Sequence, residues 1–125
     1  MKNKIAIIGL GYVGLPLAAE FAKQYQVVGF DIDAQRIEEL KKGTERTKEI
    51  ESEELKKALE KGLFLSTDPQ SISDSNIYIV TVPTPINDKK EPDLSHLLVA
   101  SKLIARHLQK DDVVIYESTV YPGCT

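Results

Sequence analysis

An apolar run that leads into three closely spaced glycines constrains this chain more than any other stretch of its sequence. Residues 5–8 are apolar, glycines follow at positions 9, 11 and 14, and a helical pattern then continues to about Gln24. The run predicts a buried strand, and a G-x-G-x-x-G turn between a strand and a helix is typical of a phosphate site. Gly9 allows the tight turn, Gly11 lets a pyrophosphate approach the backbone, and Gly14 lets the helix pack closely on its strand.

The second predicted strand, residues 26–30, is followed by Asp31. A carboxylate about 20 residues beyond the first glycine is placed to accept hydrogen bonds from an adenosine ribose. A 2′-phosphate about 4 Å away from it would cost up to about 4 kcal/mol at an effective dielectric constant of about 20. These residues predict a dinucleotide site that prefers NAD to NADP. The alternative interpretation is a glycine-rich turn that binds no ligand.

Arg36 lies in the next predicted helix, for which Asp33 is the expected N-cap. An arginine at this position would either cover the adenine face or pair with a 2′-phosphate. A solvent-exposed helix position is the third interpretation. Asp31 is the more specific signal of the two, because its spacing from the glycines is that of a dinucleotide site.

Three further strands and the helices between them complete an alternating pattern. The strands are predicted at residues 63–66, 77–82 and 113–116, and the helices begin near Ser52, Asp68 and Asp93. The last helix is expected to bury one stripe, formed by Leu94, Leu97, Leu98, Ser101, Ile104 and Leu108. The pattern predicts a single domain over residues 1–125. Its expected fold is α/β, a Rossmann-like doubly wound parallel sheet in the order 3-2-1-4-5 with helices on both faces.

The segment that follows the fourth predicted strand is a second candidate part of the site. Ligands of open parallel sheets bind beyond the carboxyl ends of the strands, where the strand order reverses. Val82 leads there into a turn that Pro83 and Pro85 stiffen, and Thr84 offers a hydroxyl and a backbone amide. A proline-rich turn without a ligand is the alternative.

Composition excludes several classes of partner. The chain has 125 residues, 42% hydrophobic and 28% charged, and its net charge of −3 comes without a basic block. Nucleic acids and membrane surfaces call for clustered Lys and Arg, and no apolar run approaches the roughly 20 residues of a membrane span. A single cysteine favours a reducing, cytoplasmic location. His96 and His107, on one predicted helix without further ligands, are assigned structural roles, so no metal site is predicted.

Three motifs together resemble the N-terminal domain of the nucleotide-sugar 6-dehydrogenases, the UDP-glucose and UDP-N-acetylhexosamine group. The motifs are Gly9–Ala18, Val82–Pro85 and Glu117–Gly123, and the resemblance covers the whole chain in order. It implies an enzyme that oxidises the C6 alcohol of a UDP-sugar to a carboxylate with two NAD. It further implies a homo-oligomer that supplies capsule, O-antigen or other surface polysaccharides.

The resemblance also implies which residues touch NAD. They are Gly9, Gly11, Tyr12, Val13, Gly14, Asp31, Arg36, Val82, Thr84, Ser118 and Thr119. Arg36 would lie by the adenine, and Thr84 and Thr119 near the nicotinamide ribose and ring. Residues 82–94 and Glu117 look more like the N-acetylhexosamine members, because the UDP-glucose members usually have a lysine at the position of Glu117.

No catalytic residue is expected within this chain. The family's nucleophilic thiol, its lysine and its sugar-binding residues lie in later segments, and Cys124 comes too early after the fifth strand to replace the thiol. The chain stops in the loop after that strand, so we expect a domain of a longer protein that binds NAD without turnover. The rivals are a non-catalytic NAD-sensing module, as in regulators of potassium transport, and a relative of 3-hydroxyacid dehydrogenases. The sensing module is not expected to combine Val82–Pro85 with Ser118–Val120, and the 3-hydroxyacid dehydrogenases have similar glycines but usually a different loop after the fifth strand.

Overall fold

Parallel strands form one sheet, and helices cover both of its faces. The computed structural model describes residues 3–10, 14–42, 52–82 and 95–117. The strands are β1 (Lys4–Ile8), β2 (Gln26–Phe30), β3 (Phe64–Ser66), β4 (Ile77–Val80) and β5 (Val113–Tyr116). The helices are α1 (Gly14–Phe21), α2 (Ala34–Lys41), α3 (Ser52–Lys61) and α4 (Ser95–Ala105), with a 3₁₀ turn at Pro69–Ile72. The strand order is β3-β2-β1-β4-β5, which confirms the predicted fold class and topology.

The central strand β1 organises the core because it contributes side chains to both faces. Ile5 and Ile7 pack into one cluster with the buried residues of α1, α2 and α3. Ala6 and Ile8 pack into a second cluster with residues of the 3₁₀ turn, β4 and α4. Successive residues of a strand point to opposite faces, so a continuous apolar run is what a doubly covered strand needs.

Several element boundaries differ from the prediction by a few residues. Helix α1 ends at Phe21, not at Gln24, because the N–H groups of Lys23 and Gln24 donate to carbonyls only three residues back, in a tighter turn. Strand β3 begins at Phe64, since the N–H of Leu63 still donates to the carbonyl of Ala58 in α3, 3.0 Å away. Strand β4 ends at Val80.

Two predicted helix caps are confirmed by their hydrogen bonds. The carboxylate of Asp33 accepts from the N–H groups of Gln35 and Arg36, at 3.1 and 3.2 Å. The carboxylate of Asp68 accepts from the N–H of Gln70 at 3.0 Å. The predicted cap at Asp93 lies outside the described residues.

The predicted stripe on α4 is wrong in part. Leu98 is 60% exposed, whereas Ala100 and Ile104 are buried and Leu97 packs beside them. Apolar residues lie on several sides of α4, so the spacing of apolar residues in the sequence was consistent with more than one buried face. His107 lies in the turn that follows α4, not on the helix. Among the described helices, none combines the length and the apolar character that a bilayer crossing requires.

Candidate functional site

The turn after β1 is shaped by Gly9. Gly9 has a φ of +101°, in the region that L side chains rarely adopt, and its N–H donates to the carbonyl of Phe30 at 2.8 Å. A side chain on Gly9 would also bring its Cβ within 3.1 Å of the backbone of Thr81 and Val82 at the end of β4. The predicted role of Gly9 in a tight turn is therefore confirmed.

Gly14 brings the first residue of α1 into contact with that turn. A Cβ on Gly14 would overlap the carbonyl oxygen of Gly9 and the hydroxyl of Thr81. Backbone atoms cannot move aside as a flexible side chain can, so only glycine fits here. The close packing of helix on strand that the third glycine predicted is confirmed.

Thr81 contacts this turn from the end of β4, and sequence reasoning missed its role. It is 8% exposed, its N–H donates to the carbonyl of Ile8 at 2.8 Å, and its hydroxyl donates to the carbonyl of Gly9 at 2.6 Å. Its signal in the sequence is a polar residue at the end of an otherwise apolar strand. Thr81 therefore joins the end of β4 to the glycine turn.

Asp31 lies beside the glycine turn, as its position after β2 predicted. One carboxylate oxygen accepts from the N–H of Leu10 and the other from the N–H of Asp33, each at 3.0 Å. The side chain is half-buried. Each carboxylate oxygen can accept a second hydrogen bond, so Asp31 keeps acceptor capacity for ribose hydroxyls while it supports the turn.

Arg36 is buried, so the solvent-exposed interpretation of this residue is wrong. It is 6% exposed, and its Nε and Nη2 donate to the carbonyl oxygen of Leu10 at 3.0 and 2.8 Å. The side chain thus reaches from the first turn of α2 to the residue after Gly9. Its predicted contact with adenine stays a prediction.

The helix N-terminus at this turn suits an anion. The first turn of α1 contains no acidic residue. In α3, by contrast, Glu53 and Glu54 lie in the first turn and offset the positive end of the dipole of α3. Together with the acceptor at Asp31, this arrangement fits a dinucleotide with its pyrophosphate at α1.

Of the other residues predicted to contact NAD, the structure describes only Val82. Val82 is half-buried and follows Thr81 at the same turn. The others lie outside the described residues: Gly11, Tyr12, Val13, Thr84, Ser118 and Thr119, as does Cys124. Within the described ranges, no three His, Cys, Asp or Glu side chains are grouped so that they could hold a metal ion.

Comparison with known proteins decides the family. The model of the NAD-binding domain of the UDP-glucose/GDP-mannose dehydrogenase family matches residues 3–125. The chain belongs to this family. That membership confirms the resemblance drawn from the three motifs and confirms NAD as the cofactor of the domain. It gives no support to the NAD-sensing alternative.

Alignments with individual members of the family cover almost the whole chain. The UDP-N-acetyl-D-glucosamine 6-dehydrogenase of Salmonella typhi is 55% identical over 98% of this chain and 28% of its own length. That of Pseudomonas aeruginosa is 54% identical over 100% of the chain and 29% of its own length. The solved UDP-D-ManNAc dehydrogenase of Pyrococcus horikoshii superposes with a TM-score of 0.87 at 38% identity, over 98% of this chain and 30% of that one. The chain thus spans less than a third of the family members it matches.

A distant structural neighbour bears on the alternative that the chain is a relative of 3-hydroxyacid dehydrogenases. A 3-hydroxyacyl-CoA dehydrogenase of Archaeoglobus fulgidus superposes with a TM-score of 0.62 at 19% identity. A likeness at that identity shows the shared fold alone.

Proposed function

We propose that this chain is the NAD-binding part of a UDP-N-acetylhexosamine 6-dehydrogenase, with UDP-glucose as the second candidate substrate. The full protein would oxidise the C6 alcohol of the sugar to a carboxylate with two NAD, in the cytoplasm, for surface polysaccharide synthesis. The observation that carries the proposal is the juxtaposition of the Gly9 turn and the Asp31 carboxylate at the carboxyl ends of β1 and β2. The names of the relatives that are 54–55% identical support the N-acetylhexosamine.

The described residues would divide the work of holding the cofactor. The N-terminus of α1, closed on the strand by Gly14, would face the pyrophosphate, and Asp31 would accept hydrogen bonds from the adenosine ribose. Gly9 would form the tight turn that brings the strand to this helix. When bound, NAD supplies the hydride acceptor for oxidation of the alcohol. The contacts proposed at Gly11, Tyr12, Val13, Val82, Thr84, Ser118 and Thr119 complete the set.

The oxidation also needs groups that we place elsewhere in the full protein. An alcohol that passes through an aldehyde to an acid requires a base for the hydroxyl proton and a nucleophile that holds the aldehyde. We assign both to segments outside residues 1–125, together with the UDP-sugar site and the contacts of a homo-oligomer. The chain by itself is therefore expected to bind NAD without oxidising a sugar.

Two measurements test this function. Calorimetric titration of the chain should give an affinity for NAD at least about tenfold above that for NADP, about 1.4 kcal/mol. The full-length protein should form NADH with UDP-GlcNAc or UDP-GalNAc faster than with UDP-glucose, and the chain alone should form none. Equal affinity for both cofactors would contradict the role of Asp31. Turnover by the chain alone that survives Cys124→Ser would contradict the placement of the chemistry.

A further inference from the structure

We propose that Arg36 is a positioning residue, which holds the Leu10 peptide so that the glycine turn is already formed when the pyrophosphate arrives. The inference rests on the proposed NAD-binding function. It differs from the adenine contact that the resemblance implied, because the guanidinium is buried against the turn.

A closed ring of hydrogen bonds links the turn to α2. The N–H of Leu10 donates to Asp31, whose other carboxylate oxygen accepts from the N–H of Asp33. The carboxylate of Asp33 accepts from the N–H of Arg36, and the guanidinium of Arg36 returns to the carbonyl of Leu10. Every link is between 2.8 and 3.2 Å long. The ring therefore fixes Leu10 from both sides of its backbone.

The side chain of Leu10 supplies a third restraint. Leu10 is 1% exposed, and one of its methyl groups would lie 3.1 Å from a Cβ on Gly29 of β2. The missing side chain of Gly29 thus makes the space that Leu10 fills. A residue held by its N–H, its carbonyl and its side chain has little freedom left to lose when a ligand binds.

Holding the carbonyl of Leu10 also orients the peptide unit to which that carbonyl belongs. A peptide unit is planar, so a fixed carbonyl fixes the direction of the N–H in the same unit. In a dinucleotide turn such N–H groups receive the phosphate oxygens. The charge and the planar fork of arginine suit this task, because two of its N–H groups converge on one oxygen, which the single ammonium of lysine does not reproduce.

The first experiment observes the contact in the unmodified chain. NMR should show a hydrogen-bond coupling between the Nε–H of Arg36 and the carbonyl carbon of Leu10, both without ligand and with saturating NAD. Loss of the coupling when NAD binds would overturn the proposal in favour of an adenine contact. Failure of the chain to bind NAD would contradict the proposed function, while the coupling in the ligand-free chain still tests the positioning role.

The second experiment compares ligands with and without phosphate. Arg36→Lys should weaken ADP and NAD by about tenfold or more and adenosine by less than about twofold, because adenosine does not reach the turn. The variant should also shift the carbonyl ¹³C resonance of Leu10. The control is Lys41→Met, which removes a positive charge from an exposed position at the end of the same helix. Equal losses for all three ligands, or unchanged ADP affinity, would overturn the proposal.

Discussion

The hydroxyl of Thr81 donates a 2.6 Å hydrogen bond to the carbonyl oxygen of Gly9, from the end of β4 to the turn after β1. These two strands are neighbours in the sheet, and the order of the strands reverses between them. The same hydroxyl limits the space at Gly14. One buried side chain therefore sets the distance between the turn and the strand that flanks the proposed cofactor site.

Replacing Thr81 tests this link directly. Thr81→Val keeps the shape and removes the hydroxyl, which leaves the carbonyl of Gly9 without this donor. We expect a loss of about 1–3 kcal/mol in the free energy of unfolding and several-fold weaker NAD binding. Thr81→Ser keeps the donor and is the matched control. Urea denaturation and calorimetry are the measurements, and a valine variant as stable as the serine variant would contradict the expectation.

Gly14→Ala should be among the most damaging single changes in the described part of the chain. Its Cβ would overlap the carbonyl of Gly9 and the hydroxyl of Thr81, so α1 must move away from the sheet. We expect a cost of about 3 kcal/mol or more, measured by the midpoint of urea unfolding. Gly62→Ala is the comparison, because a side chain there meets open space and pays only for its φ of +116°, about 1–2 kcal/mol. Similar costs at both positions would refute the packing argument.

Asp31→Asn should reduce the preference for NAD over NADP. The amide is neutral, so repulsion of a 2′-phosphate falls, and it offers one acceptor oxygen where two N–H groups now bind. NAD affinity should fall because the turn loses one of its supports. Titrations with both cofactors measure the ratio, and Glu38→Gln, an exposed acid on α2, is the charge-matched control. A ratio that does not change would show that Asp31 does not face the ribose.

The buried side chain of Tyr78 should make the free energy of unfolding depend on pH in the alkaline range. Burial, and then the charges of Asp112 and Asp74, raise the pKa of Tyr78 above its ordinary value. The side chain of an unfolded tyrosine ionises at about pH 10. At that pH the side chain of Tyr78 in the folded chain still keeps its proton, because its pKa is raised. The contribution of this group is therefore complete below about pH 10 and is lost as the pH rises further.

Tyr78→Phe isolates that contribution. The hydroxyl donates to the carbonyl of Ile72 at 3.3 Å, so the variant should lose about 0.5–1.5 kcal/mol at neutral pH. Above about pH 10 its stability should fall less steeply than that of the unmodified chain. Urea midpoints measured from about pH 8 to pH 11 give both slopes, and Tyr25→Phe, at a residue that is 40% exposed, is the control. Identical slopes for the unmodified chain and Tyr78→Phe would refute this origin.

The parts of the site that sequence predicted are those whose requirements are local. A positive φ at Gly9 and a missing side chain at Gly14 follow from the geometry of one turn, and Asp31 follows from a fixed spacing to that turn. The strand order was predictable as well, because a phosphate-binding βαβ pattern allows few topologies. The structure confirms these features.

What sequence did not predict depends on partners that leave no trace in the residue pattern. Arg36 and Thr81 both bind main-chain carbonyls, of Leu10 and Gly9, and every residue has such a carbonyl. The buried face of α4 was misassigned at Leu98 because the helix offers apolar residues in several directions. For Arg36 and Thr81 the deciding neighbour is distant along the chain.

Asp31 supports the glycine turn and is proposed to set the preference for NAD, which bears on how cofactor preference can be re-engineered or can change in evolution. Exchange of this carboxylate for a small or basic residue would admit a 2′-phosphate, and it would also release the backbone of Leu10 and open the ring that includes Arg36. A successful switch to NADP therefore calls for a second change that restores support to the turn. By the proposed role of Asp31, selectivity would be coupled to the support of the glycine turn, which would make a single-step conversion costly.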